Sequence, residues 1–229
     1  MIFEKMYTVG NRDVGVTKEV TNKAMMKYLE NIACSHSDLV GYGINTIEKT
    51  GVVWILLDWK FKIIERPKYG QNIKVRTWSR KMEKCSAYRD FQVFDENENI
   101  LAIATTKWVL LDANTRKIQR IPEEFAIKYG SEPERNVFDE EIEKLNEIEN
   151  EEICMQIKIR RTDIDINNHV NNLNYLDLAY EILPEEVYNK ELKKDSYHDN
   201  CHNKSLAISF VTDTSRYRLT VANTSFGCL

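Results

Sequence analysis

The sequence has no apolar run that approaches the roughly 20 residues needed to cross a bilayer, so we expect no membrane-spanning helix. Its beginning, MIFEKMYTVG, lacks a basic region followed by an apolar stretch, which argues against a secretory signal. Cysteines are few: five are scattered along the chain, an odd number without a Cys-x-x-Cys pair. Neither a disulfide framework nor a cysteine metal site is expected, and the reducing cytoplasm is the predicted compartment.

Positive charge is not in excess either, because the net charge at pH 7 is −4. Bulk nucleic-acid binding is therefore not expected, although local basic patches are compatible with this balance. The chain of 229 residues contains 42% apolar and 30% charged residues, which is typical of a soluble globular protein with a real core. Its length suits one large domain or two of ordinary size.

The residue pattern of the first half predicts one long helix followed by consecutive strands. The helix is predicted over about residues 18–37, with an apolar face formed by Val20, Ala24, Tyr28, Ile32 and Ala33. Strands are predicted at 3–9, 51–65, 71–83, 85–95 and 100–112. This order is typical of an α+β fold in which a helix packs on an antiparallel sheet. Three tryptophans in the long strands are interpreted as core residues rather than ligand contacts: Trp54, Trp59 and Trp108.

An Asp-x-Asn-x-His run in the second half is the strongest chemical signal. Asp165, Asn167 and His169 alternate in sequence, and on an extended segment such alternation directs all three side chains to one side. Apolar residues then follow at helical spacing: Leu173, Leu176, Tyr180 and Leu183. A carboxylate, an amide and an imidazole are thus expected beside a helix N-terminus, which favours developing negative charge. This arrangement suits hydrolysis of an activated carbonyl.

The segment around this run resembles an earlier segment of the same chain. A shift of 150 residues places residues 7–33 over residues 157–183 and aligns Asp13 with Asp163 and Val20 with Val170. At the three chemical positions the first copy instead has Gly15, Thr17 and Glu19. We interpret the shared residues, Asp163 included, as scaffold and the unshared residues as a site in the second copy. A chance match between short amphipathic segments is the alternative.

Two further segments stand apart in composition. From Asp139 to Glu152 eight of fourteen residues are acidic, which predicts a solvated linker rather than a docking site for a basic partner.

The tail, residues 195–229, has six charged residues among 35, shows poor strand alternation and is too short to complete a second sheet of equal size. We expect this tail to be foreign to the fold, for example through a frameshift; a divergent, shortened family member is the alternative.

With these motifs in order, the chain resembles the acyl-ACP thioesterases, a family of hydrolases that act on fatty acyl groups carried by acyl carrier protein. Four stretches carry the resemblance: RPKYGQNIKVRTW (66–78), YRDFQVFD (88–95), TKWVLLDANTRKIQRIPEE (106–124) and DIDINNHVNNLNYLDLAYEILPEE (163–186). The resemblance implies an α+β fold of tandem hotdog units, each a curved antiparallel sheet wrapped around a long helix. It divides the chain into an N-terminal unit (1–125), the acidic linker (126–152) and a C-terminal unit (153–229) with an incomplete C-terminus.

The resemblance also implies the site residues. It places the catalytic amide at Asn167, the catalytic imidazole at His169 and the associated carboxylate at Asp165. It further implies an acidic or cysteine residue on a later strand, near Asn203 and Lys204, and neither of these matches. No cofactor and no metal are expected. The implied partner is acyl carrier protein with its fatty acyl chain, and a homodimer is a further candidate assembly.

The residue chemistry agrees with these roles. An imidazole with a pKa near about 6.5 accepts protons at neutral pH, so His169 suits a general base. The Asn167 amide can hold the water or donate to an oxyanion, and the Asp165 carboxylate can orient its neighbours. Taken alone, a histidine such as His169 is more often a hydrogen-bonding residue at a helix start than a catalyst. Asn171 and Asn172 are interpreted as helix caps.

The substrate and the docking surface are left with alternatives. An acyl-CoA substrate changes only the carrier, and a catalytically impaired relative that binds acyl groups or carrier protein is the alternative from another class. Because acyl carrier protein is acidic, its docking surface is expected to be basic. The candidate basic clusters, which are also compatible with ordinary solvated strand faces, are Lys158, Arg160 and Arg161, and Arg116, Lys117 and Arg120.

Overall fold

A computed structural model describes residues 1–142, 159–165, 170–182, 206–213 and 216–223. The chain divides into two compact units, Met1–Lys144 and Leu145–Leu229. No helix in these described ranges is long and apolar enough to cross a membrane.

The first unit is a five-stranded antiparallel sheet that packs against one long helix. Its strands follow the order β1-β3-β4-β5-β2, and their bounds are β1 (Phe3–Thr8), β2 (Val52–Ile63), β3 (Asn72–Glu83), β4 (Ser86–Phe94) and β5 (Ile100–Asp112). Val75 pairs with Val93 and Thr77 with Phe91 on the central strands, and all four side chains are fully buried. The period-two alternation of these strands therefore buries one apolar face of the sheet. The strand predictions are confirmed for all five.

The long helix, α1 (Asn22–Leu39), supplies the other half of the core. Thr21 caps it, because its Oγ1 atom accepts the Ala24 N–H at 3.1 Å. The helix ends where Gly41 adopts a φ of +83°, a conformation that favours glycine. The predicted apolar face is confirmed for Ala24, Tyr28, Ile32 and Ala33, which are buried. Val20 is buried too, but it lies before the helix, which begins at Asn22 rather than near residue 18.

The three tryptophans of the long strands pack against the core, as expected. Trp59 and Trp108 are half-buried against the core, and the Trp59 ring lies 6.3 Å from the Phe91 ring. Trp54 is half-buried and packs against a second core cluster that includes Phe125 and Tyr129, which confirms the core interpretation; Trp54 and Trp108 also line a pocket. Trp78, which the sequence does not distinguish from its neighbours, is the tryptophan with the smallest exposed fraction among the described residues, at 1%.

Trp78 is buried because the expected linker is bound to the sheet over residues 126–142. Two short helices follow α1 in the chain, α2 (Ile47–Thr50) and α3 (Glu123–Lys128). After α3, the chain crosses the sheet face opposite α1. The Trp78 Nε1–H donates to the Arg135 carbonyl at 3.0 Å, and the Val137 N–H donates to the Asp90 Oδ2 atom at 3.0 Å. Residues 131–137 are therefore bound to the sheet, whereas Asp139, Glu140 and Glu141 of the acidic stretch are exposed, as a solvated stretch predicts. The bounds of the linker stay a prediction. The rest of that stretch, 143–152, lies outside the described residues.

The second unit contains a short helix and a hairpin in its described parts. The helix α4 (Asn174–Ile182) follows a 3-10 turn at Arg161–Asp163. The tail forms an antiparallel pair, β6 (Leu206–Asp213) and β7 (Arg216–Asn223). The poor alternation of the tail sequence does not indicate these two strands. The size of the whole second sheet, and the origin of the tail, stay predictions.

Candidate active-site loop and a buried pocket

An aspartate closes the loop that corresponds, in the first copy, to the Asp-x-Asn-x-His run. The Asp13 side chain ends a 3-10 turn, and its Oδ2 atom accepts the Gly10 N–H at 3.0 Å. The Asp13 carbonyl accepts the Thr21 N–H at 3.0 Å, and Val14 pairs with Val20 in an antiparallel bridge. Residues 15–19 therefore form a loop whose two ends are fastened together.

The second copy repeats these contacts 150 residues later. The Asp163 Oδ2 atom accepts the Arg160 N–H at 2.8 Å, and the Asp163 carbonyl accepts the Asn171 N–H at 2.8 Å. Ile164 pairs with Val170 in an antiparallel bridge. Because capping contact, closing contact and bridge recur at the same register, the internal repeat is structural and a chance match is excluded. Asp163, with 3% exposure, has the scaffold role that its alignment with Asp13 predicts.

We call the contacts of Asp163 and the Ile164–Val170 bridge the loop frame. The three predicted site residues lie between its two ends. Asp165 is half-buried directly after the bridge residue Ile164. Asn167 and His169 lie outside the described residues. The predicted alternation of all three along one extended segment rests on residues 166–169, which lie outside the described residues, and it stays a prediction. The corresponding loop of the first copy is a turn in which Lys18 has a φ of +65°.

The residues after the loop lead into α4. The Asn171 Oδ1 atom accepts the Leu173 N–H at 2.9 Å, which confirms a capping role for Asn171. Leu173 and Leu176 are buried, as their helical spacing predicts, and Tyr180 is half-buried. Leu183 lies outside the described residues. The loop that carries the predicted site thus ends next to a helix start that is partly satisfied by Asn171.

The stability that Asp13 contributes to the first copy should depend on pH. Burial alone raises the pKa of Asp13, but hydrogen bonds from Lys27, from the Tyr28 hydroxyl at 2.6 Å and from Gly10 outweigh it and lower this pKa overall. Because the pKa of Asp13 is lower in the folded state than in the unfolded state, where it is about 3.9, the ionised carboxylate stabilises the fold at higher pH. This stabilisation is lost as pH falls through the folded-state pKa.

We therefore expect Asp13→Asn to lower the urea midpoint of unfolding at neutral pH. Between about pH 5 and pH 3 the midpoint of this variant should decrease less than that of the wild type. Urea unfolding of both proteins at several pH values measures this. Asp139→Asn, at an exposed position of the same unit, is the control and should keep the wild-type pH dependence. Identical pH profiles for Asp13→Asn and the wild type would contradict the assignment.

A pocket lies between α1 and the sheet of the first unit. It has a volume of about 80 Å³. Its walls are mainly apolar: Ala33, Ile44, Ile47, Val53, Trp54, Met82, Ala87 and Trp108. Cys34 also contributes to its wall, and burial, together with Glu30 and Asp38, raises the pKa of this thiol to about 11. Because the thiolate is the nucleophilic form, Cys34 is inert at neutral pH.

Sequence reasoning missed Arg89, a polar residue that lines this pocket, and His36, which contacts Arg89. Arg89 lies on β4 with 6% exposure, and its Nη1 atom lies 3.0 Å from the Nδ1 atom of His36, which is fully buried. The only local signal is an arginine inside an otherwise strand-like stretch. Among the described residues, no group of three or more metal-ligating side chains occurs.

The candidate basic surfaces differ in what the structure describes. Arg116, Lys117 and Arg120 are exposed. Arg160 and Arg161 are both exposed, and Arg160 is paired with Asp163, with 2.8 Å between Nη2 and Oδ1. Lys158 lies outside the described residues. The first cluster is therefore the better defined of the two.

Comparison with known proteins identifies the family. The model of the acyl-ACP thioesterase N-terminal domain matches residues 1–129, and the model of the C-terminal domain matches residues 145–196. The chain therefore belongs to the acyl-ACP thioesterase family. The structure of an acyl-ACP thioesterase from Bacteroides thetaiotaomicron is similar with a TM-score of 0.75 at 20% identity, over 97% of this chain and 92% of that one. That of the 12:0-ACP thioesterase from Umbellularia californica gives 0.70 at 22% identity, over 97% and 93%. These likenesses confirm the tandem hotdog fold.

A curated relative adds a sequence comparison. Oleoyl-acyl carrier protein thioesterase 2, a chloroplastic protein of Arabidopsis thaliana, is 26% identical over 230 residues. The match includes 92% of this chain and 62% of that relative, so this chain spans less than two thirds of its length.

Proposed function

We propose that this protein hydrolyses the thioester of fatty acyl-ACP and releases the free fatty acid. The observation that carries the proposal is the match of both family models, the second of which includes Asp165, Asn167 and His169 within residues 145–196. The repeated loop frame supports it, since Asp163 and the Ile164–Val170 bridge fasten the ends of the segment that carries the three residues.

The proposed mechanism uses a single activated water. His169 removes a proton from the water, and the resulting hydroxide attacks the carbonyl carbon. The Asn167 amide donates to the oxyanion that develops, while Asp165 orients and charge-stabilises the imidazolium. The C–S bond then breaks, and the proton held by His169 neutralises the departing thiolate of the carrier. The products are a fatty acid and the carrier thiol.

The purified chain tests this proposal directly. Release of free thiol is measured with acyl-ACPs of several chain lengths and with the corresponding acyl-CoAs. Hydrolysis of acyl-ACP with a higher kcat/KM than acyl-CoA supports the proposal. Equal or greater turnover of acyl-CoA would favour the acyl-CoA thioesterase instead.

A binding protein without catalysis is the alternative from another class. It is favoured by the later-strand position implied by the family, where Asn203 and Lys204 stand in place of an acidic or cysteine residue. These two residues lie outside the described ranges. An absence of thiol release, together with retained binding of acyl-ACP, would establish this alternative.

A basic docking surface for acyl carrier protein is part of the proposal. Arg116, Lys117 and Arg120 are exposed close together in sequence on the connection after β5. Since the carrier is acidic, we expect the triple change to glutamate to raise KM for acyl-ACP about tenfold or more at low salt, and to leave kcat nearly unchanged.

The same variant should hydrolyse acyl-CoA with a nearly unchanged KM, because the carrier protein is then absent. Lys62→Glu, an exposed charge reversal on β2, is the control for a change of charge elsewhere on the same unit. An unchanged KM for acyl-ACP in the triple variant would show that acyl carrier protein does not bind at this cluster.

We also propose a cytoplasmic location, which is supported by the free thiols of Cys34 and Cys85 in the described part of the chain. A homodimer is proposed as a candidate assembly. Light scattering of the purified chain measures its mass and decides between monomer and dimer.

A further inference from the structure

The segment that crosses the sheet face opposite α1 is held in two different ways. Residues 131–137, which we call the anchor, bind the sheet through two buried side chains, Trp78 and Asp90. Residues 138–141, which we call the latch, bind the sheet through charges, and both glutamates of the latch are exposed. Salt screens exposed charges strongly and buried contacts much less, so the two parts should respond differently to ionic strength.

The latch contacts one lysine on each of two strands, β2 and β3. The Lys81 Nζ atom donates to the Glu141 Oε1 atom at 2.7 Å, and this hydrogen bond lowers the pKa of Glu141 and raises the pKa of Lys81. The Lys60 Nζ atom lies 3.4 Å from the Glu140 Oε2 atom and 5.0 Å from the centre of the Phe138 ring. Both carboxylates of this pair of neighbours therefore face a cation of the sheet.

The positive charges on this face are crowded, which favours a carboxylate among them. Three cations surround the Tyr88 ring: Arg80 and Lys81 each lie 5.1 Å from its centre, and Lys107 lies 6.0 Å from it. Like charges at this spacing repel one another, and a nearby anion offsets the repulsion. Glu141 acts as this anion, because Lys81 first, and then Arg80 and Lys107, lower its pKa.

Other carboxylates near the same cations stay in place when the latch leaves. They are Glu83 beside Lys81 at 3.2 Å, Asp90 beside Arg80 at 3.9 Å, and Asp58 opposite Lys107 in the strand register. An open latch therefore does not leave the cations without any counter-charge. Since exposed ion pairs contribute little individually, the closed state is favoured over the open state only by a modest factor.

We propose that residues 138–141 form a releasable latch, which is closed at low salt and opens when ions screen its charges, while the anchor stays bound. The first compact unit ends at Lys144, shortly after the latch. Opening therefore adds the latch residues to the stretch of chain that connects the sheet with the second unit, which carries the proposed catalytic residues. The inference goes beyond thioester hydrolysis, because it assigns a conformational switch to this connection.

Limited proteolysis of the full chain measures the opening, because chymotrypsin can cleave after Phe138 once the latch has left the sheet. When opening and closing are fast, the cleavage rate follows the open population. We expect the rate after Phe138 to rise about three- to tenfold between about 0.05 M and about 1 M NaCl. Tryptic cleavage after Arg135, in the anchor, is the internal control and should change less than about twofold. Rates are normalised to a free peptide of residues 131–142, which cancels the effect of salt on the proteases.

Variants of the ion pair show whether charge is the cause. At low salt, Lys81→Met should raise the rate after Phe138 about threefold or more and should reduce the response to salt. Glu141→Gln should have the same effect, and the double variant should add little, because both changes remove one ion pair. Lys62→Met, an exposed change on β2, is the matched control and should behave as the wild type.

Three results would each overturn the inference. They are a rate after Phe138 that does not depend on salt, an equal salt response after Arg135, and effects of Lys81→Met and Glu141→Gln that are fully additive. No thioester is present in these experiments, so their outcome is independent of hydrolysis.

Discussion

Replacing His169 by alanine is expected to lower kcat for acyl-ACP hydrolysis by about 10²- to 10⁴-fold, the usual contribution of a positioned general base. Asn167→Ala should cost about 10²- to 10³-fold in kcat through the loss of one donor to the oxyanion. Both losses fall on kcat and kcat/KM alike, because these groups act in the transition state rather than in substrate binding. Steady-state thiol release from acyl-ACP measures both.

The internal repeat provides the matched control. Thr17 occupies in the first copy the loop position that Asn167 has in the second, and it is exposed. Thr17→Ala should therefore leave kcat unchanged and the fold intact. If hydrolysis is measurable and His169→Ala and Asn167→Ala both leave it unchanged, the assignment of the site is wrong.

Asp90→Ala is expected to lower the free energy of unfolding by about 3–5 kcal/mol, the usual cost of removing one member of a buried charged pair. Asp90 is fully buried and accepts the Thr105 hydroxyl at 2.8 Å and the Val137 N–H at 3.0 Å. The Arg80 Nε atom lies 3.9 Å from its Oδ1 atom, so the change also leaves a buried guanidinium without its nearest carboxylate.

Denaturant unfolding measures this loss, and protease sensitivity of residues 131–142 should rise with it, because Val137 loses its acceptor. Glu134→Ala, an exposed change in the same segment, should stay within about 0.5 kcal/mol of the wild type. A small effect of Asp90→Ala would mean that the segment is held mainly by its other contacts, such as that of Trp78 with Arg135.

The strands and the long helix were predictable because their signals are local. Alternation in β3 and β4 and helical spacing in α1 describe faces that each element buries by itself. Their turns were also marked, as at Gly41 after the helix. The repeat was predictable for the same reason, since Asp13 and Asp163 fix the backbone within a few residues of themselves.

The rest depends on contacts between distant residues. The segment 131–142 reads as a polar linker, yet its backbone carbonyl at Arg135 and N–H at Val137 are held by the sheet residues Trp78 and Asp90. The arrangement of Asn167 and His169 beside Asp165 stays a prediction, because residues 166–169 lie outside the described residues. The sequence around Arg89 does not indicate that this arginine is buried beside His36, which is 53 residues away in the chain.

In the two aspartate-closed loops, the residues that fasten the loop ends are different from the residues that the loop presents. Asp13 and Asp163 fasten the ends through their carboxylates and carbonyls, which accept backbone N–H groups of residues outside the five between the bridge partners. Those five residues are thus free to diverge after a duplication while the chain keeps its path. A frame of this kind accepts a new set of reactive groups by substitution alone, without an insertion or a rearranged core. Grafting Asp165–His169 into the first copy would show how much activity the frame itself confers.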